Sequence, residues 1–70
     1  MASSIVVLID CGETPIAVVK ALRETGGFAL KEAKDLVEAA PTVVLSNLAR
    51  HDAEAVMVHL RSAGATVEIA

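Results

Sequence analysis

The chain has 70 residues, of which 54% are apolar, with one Phe, no Trp or Tyr, one Cys and a formal net charge of −3. That length makes a single domain, residues 1–70, with an aliphatic core and no spare chain for a cleft between two lobes. The acidic balance argues against nucleic acid as a direct partner, lone Cys11 excludes an internal disulfide framework, and no segment is long enough to cross a membrane.

Ser4–Asp10 opens the chain as a strand, because Ile5–Ile9 is an unbroken run of β-branched and aliphatic residues. The run is short and has no basic residue before it, so it is not a signal peptide, and a cytoplasmic protein is expected. Cys11–Thr14 turns. Thr14 then offers an N-cap hydroxyl and Pro15 the first helical position, starting a helix that runs to about Thr25. Gly26 and Gly27 end it. A second helix spans about Ala29–Ala39 and stops before Pro41. Thr42–Leu48 is a Val- and Leu-rich strand. A third helix covers about Arg50–Ala63 and ends at Gly64. Thr66–Ala70 alternates as a last strand, with Val67 and Ile69 on one side. The order β-α-α-β-α-β predicts an α+β fold, with three helices packed on one face of a three-stranded antiparallel sheet.

The first helix carries two stripes at 100° per residue. Val18, Ala21 and Leu22 are purely apolar and are expected in the core. Ile16, Val19, Lys20 and Arg23 mix aliphatics with cations and are expected to lie open. The second helix repeats the scheme, with Ala33, Leu36, Val37 and Ala40 inward and Leu30, Lys31 and Lys34 on a more polar side. If the Gly26–Gly27 turn folds the helices into a hairpin, the two mixed stripes become neighbours. Charge is distributed to match: residues 20–34 carry +2 (Lys20, Arg23, Lys31 and Lys34 against Glu24 and Glu32), while residues 1–19 carry −2 and residues 35–70 carry −3. An acidic, partly apolar partner segment would complement such a patch. The plainer alternative is a solvated face, since Lys20–Glu24, Lys31–Asp35 and Lys34–Glu38 have the i, i+4 spacing of weak surface pairs.

The run PIAVVKALRETGGFALKEAKDLVEAAP (Pro15–Pro41), and LKEAKDLVE (Leu30–Glu38) within it, resembles the C-terminal domain of the acidic stalk protein of the bacterial large ribosomal subunit. The close of the chain, Asp52–Ile69, is similar as well, and the likeness runs without gaps from about Ser4 to Ala70. It implies the same β-α-α-β-α-β fold, and a helical hairpin that docks translational GTPases (elongation or initiation factors). The docking positions it implies are Ile16, Val19, Lys20 and Arg23 on the first helix, and Leu30, Lys31 and Lys34 on the second.

The chain also departs from that family's pattern. The family's N-terminal dimerisation and anchoring segment and its flexible hinge are absent from these 70 residues, so an excised domain, or a protein that does not hang on the stalk in the usual way, is expected. Pro15 stands where a basic residue usually opens the first helix, Ala29 where a glycine precedes LKEAK, and Met57 and Val58 where lysine is usual. Alternation along the strands points Val6, Leu8 and Val44 at the helices. Ile5, Val7, Ile9, Val43 and Leu45 then face away, an apolar sheet back that suits self-association as a homodimer or a permanent partner, the alternative being a patch tolerated on a monomer or covered by a neighbouring domain.

No catalytic constellation is present, and no enzyme is expected. His51 and His59 stand eight residues apart with no third ligand at metal spacing, so neither a metal nor another cofactor is implied. Cys11 lies near Asp10 and Glu13, which disfavour thiolate. Gly26-Gly27-Phe28 joins two helices without a phosphate-loop signature, and Phe28 is expected to plug the hairpin tip. The competing reading is a free-standing adaptor or oligomerising module that reuses the fold, as the ClpS-like protease adaptors do, for a non-ribosomal partner.

Overall fold

The computed structural model describes residues 3–70. Along them run β1 (Ser4–Asp10), α1 (Pro15–Gly26), α2 (Leu30–Glu38), β2 (Thr42–Leu48), α3 (Arg50–Ser62) and β3 (Thr66–Ile69). The three strands form one antiparallel sheet in the order β2-β1-β3. The most continuously apolar strand, β1, takes the centre, where both its edges are hydrogen-bonded. The α+β architecture and the element order are those expected from the sequence.

Val6 and Leu8 of β1, Val44 of β2 and Val67 of β3 point at the helices and are buried. They meet Val18, Ala21 and Leu22 of α1, Ala33 of α2, and Ala53 and Leu60 of α3 in one cluster. Burying each of the large members, such as Leu8, Leu22 and Leu60, is worth roughly 1.5–3 kcal/mol. α3 packs on β1 and β3, and α1 packs on both α2 and α3. α2 has Ala33 as its one fully buried residue. Its small side chain lets α2 lie close along α1, while Leu36 and Val37 stay half-buried. The first N–H of that helix region is met by its own third residue: Ala29 N–H donates to Glu32 Oε1 at 3.0 Å.

Two sequence expectations are corrected here. Thr14 does not cap α1 with its hydroxyl. Its carbonyl accepts from the Ala17 and Val18 N–H groups, but its Oγ1 donates 3.0 Å to the carbonyl of Ala63. That carbonyl lies at the end of α3, where helical partners run out, so the hydroxyl ties the β1–α1 turn to the α3–β3 turn. Gly12, at φ +75°, makes this approach possible: a Cβ there would collide with the carbonyl oxygen of Gly64.

Leu45 does not face away from the helices. Val6 is registered with Leu45 and Val7 with Val43, so β2 carries one extra residue opposite Val6. Such a bulge interrupts alternation and turns two successive side chains toward one side. Val44 is buried, and Leu45 packs against the same core. A second shift, between Ser4 and Val6, coincides with Asn47 at φ 58°. Ile5, Val7 and Ile9 are half-buried on the other face, and Val43 is exposed. Met57 likewise packs on the core, leaving Val58 as the exposed aliphatic of α3.

Candidate functional site

Gly27 sits in the left-handed region at φ 68° and its N–H bonds back to the Arg23 carbonyl, ending α1. The chain reverses there, and α2 returns along α1. Because α2 touches α1 through Ala33 rather than a large residue, a furrow stays open on the outer side of the pair. It consists of two adjoining hollows of about 560 and 390 Å³. Ile16, Val19 and Leu30 line both. The first hollow continues to Lys20, Arg23 and Phe28, and the second to Pro15, Lys34 and Val37.

Six of the seven residues singled out from the sequence therefore surround one groove. Ile16 is 85% exposed and Leu30 47%, and because both line the same two hollows they form one apolar patch rather than isolated surface aliphatics. Val19 is corrected: it is not open but only 9% exposed, and belongs to the core cluster. On the helical wheel it stands about 60° from Leu22, at the flank that α2 covers, so it forms the groove floor. Lys31 is the seventh. It lies outside both hollows, with its side chain 88% exposed and its Nζ 3.3 Å from Asp35 Oδ2.

The electrostatics of the groove follow from which cations are already satisfied. Lys31 pairs with Asp35 and Arg50 with Glu54, and Arg61 donates to the carbonyl of Val67 at 3.0 Å. Among the described residues, Lys20, Arg23 and Lys34 meet no carboxylate at ion-pair distance. These three are the cations of the groove. Of the i, i+4 pairs read from the sequence, Lys31–Asp35 is formed, whereas Glu24 is drawn instead to His59 across the helix interface, at 3.0 Å.

Residues 5–70 match the family described as ribosomal protein L7/L12 C-terminal domain. The chain belongs to that family. It is 52% identical over 64 residues to the large ribosomal subunit protein bL12 of Variovorax paradoxus, covering 91% of this chain and 51% of that protein. It is 53% identical to bL12 of Sorangium cellulosum, over 91% of this chain and 50% of that protein. The bL12 of Dehalococcoides mccartyi is 52% identical, over 91% and 52%. The chain thus spans about half the length of the curated relatives it matches.

The L7/L12-type groove also holds residues that sequence reasoning did not assign to it. Phe28, read as a plug at the hairpin tip, is half-buried against the core and also walls the first hollow. Val37, read as inward, faces the second. Both lie between faces, where one side chain serves core and surface together. Glu24 and Glu38 stand at the two ends. Their i, i+4 spacing from Lys20 and Lys34 was the available signal. Among the described residues, no three His, Cys, Asp or Glu side chains are grouped to hold a metal, and no helix is long and apolar enough to cross a membrane.

Proposed function

We propose that the α1–α2 groove is a docking site for translational GTPases, and that this L7/L12-type domain works in the cytoplasm at the large ribosomal subunit. The observation that supports it most is the arrangement of Lys20, Arg23 and Lys34, without carboxylate partners, around exposed Ile16 and Leu30. Unpaired cations on an apolar floor suit an acidic, amphipathic segment. Its charge would speed encounter and set register, and its apolar side chains would supply the burial. Val19 and Val37 make a floor already packed against the core, so little ordering is needed on binding.

The test is a titration with a purified bacterial elongation GTPase, followed by amide chemical shifts. Shifts should concentrate on residues 16–23 and 30–34. Lys34→Glu should weaken binding at least tenfold with the spectrum of a folded domain retained, since it reverses a charge at the groove. Lys31→Glu should act less, because Lys31 lies outside the hollows and is already paired. Unchanged affinity in both variants would refute the site. No shifts at high micromolar GTPase, with the domain folded, would favour the adaptor reading.

The sheet back supports a second reading, self-association. Val7 and Val43 are partners across β1 and β2 on the face away from the helices, flanked by Ile5 and Ile9, and Val43 is 46% exposed. Leu45 drops out of that surface. Light scattering over a concentration series decides: a homodimer should appear by high micromolar concentration, and a monomer throughout would end the idea.

A further inference from the structure

We infer that His59 is a positioning residue of the groove: it holds the Glu24 carboxylate on the α3 side, off Lys20, and so keeps the cationic rim open to an acidic partner. The inference rests on the docking reading above.

Glu24 is one helical turn beyond Lys20, and on a helix those two side chains are neighbours. Glu24 also lines the first hollow, beside Lys20 and Arg23. Left to itself, its carboxylate would partly cancel the charge that an acidic segment is to meet. It is engaged elsewhere. His59 Nε2 lies 3.0 Å from Glu24 Oε1, between residues 35 apart in the chain. An ionised carboxylate can only accept, so the proton sits on Nε2. His59 itself lines neither hollow. It lies in the last turn of α3, where the carbonyl end of the helix favours positive charge. Its side chain is 47% exposed and that of Glu24 51%, so the pair is dispensable for burial and its removal should leave the fold intact. Its effect is confined to where one negative charge sits relative to the groove.

The test compares affinities for a purified bacterial elongation GTPase at low salt. His59→Ala should weaken binding by about two- to threefold, the worth of one half-exposed polar contact to a carboxylate. Glu24→Gln should tighten it by about twofold. The double variant should behave as Glu24→Gln alone, because a histidine with no carboxylate to hold has nothing to position. His59→Gln should restore most of the loss, since its amide can still donate. Without any GTPase, the Lys20 side-chain resonances should shift in His59→Ala and stay put when Glu24→Gln is also present. An equal loss from His59→Ala in both backgrounds would mean that His59 acts through the fold or by touching the partner, and would overturn the inference. So would unchanged Lys20 resonances in His59→Ala. If Lys34→Glu weakens binding and His59→Ala does not, this inference fails and the docking site stands. If neither changes binding, both fall.

Discussion

Replacing Gly12 by alanine tests a close approach of two turns, β1–α1 and α3–β3. Gly12 has φ +75°, and a Cβ added there meets the Gly64 carbonyl oxygen. Two costs add. An L-residue held in the left-handed region costs roughly 1–2 kcal/mol. Displacing packed backbone to admit a methyl group costs roughly 1–3 kcal/mol more. The sum, about 2–5 kcal/mol, is a large part of the ~4–10 kcal/mol expected for a domain of this size. Gly27 supplies the control. Its φ is +68°, but among the described residues nothing lies within 4 Å of an added Cβ, so Gly27→Ala bears the first cost only. Thermal and urea unfolding followed by circular dichroism should place Gly12→Ala roughly 8–40 °C below wild type and Gly27→Ala roughly 4–16 °C below, with Gly12→Ala the lower of the two. The urea slope should be unchanged in both. Equal destabilisation of the two variants would refute the reasoning, because it would leave the contact between the turns without energetic weight.

Ile16→Ser should leave the stability within about 0.5 kcal/mol of wild type, because an exposed side chain has little burial to lose, yet should weaken GTPase binding by roughly tenfold by removing an exposed apolar contact of the groove; titration and unfolding of the same sample check both. Leu45→Lys should destabilise the domain by about 2–4 kcal/mol, and Val43→Lys by less than about 1 kcal/mol. Urea unfolding distinguishes them, and similar values would contradict the bulge. If light scattering finds a homodimer, Val43→Lys should return it to monomer.

Much of this molecule is local, and what is local was readable. β1 and β2 span Ser4–Asp10 and Thr42–Leu48, the bounds read around their aliphatic runs, α1 starts at Pro15, and the three helices stop before Gly27, before Pro41 and before Gly64. The purely apolar stripe Val18, Ala21 and Leu22 is buried as its period requires. The departures share a cause: each depends on a neighbour far along the chain. Val19 is covered because α2 lies over its flank. Leu45 turns inward because β2 carries an extra residue against β1, and no alternation rule signals where a register slips. The Thr14 hydroxyl leaves its own helix because α3 ends 49 residues later with a carbonyl unmet.

The candidate site divides in the same way. Its residue types, spacing and local positive charge lie within 19 consecutive residues, Ile16 to Lys34, so helix periodicity and a two-glycine turn pointed to the six that line the groove, while Lys31 lies outside it. Which cations stay free was decided in three dimensions. Lys31 and Lys34 are equally spaced from acids on the same helix, yet among the described residues Lys31 is paired and Lys34 is not, a difference that the packing of separate elements does not explain. Glu24 belongs by spacing to Lys20, but the packing of α1 on α3 hands it to His59. Periodicity reports which way a side chain points from its own backbone. Only the packed structure sets which opposite charge comes within 4 Å of it, since that distance depends on how separate elements are brought together.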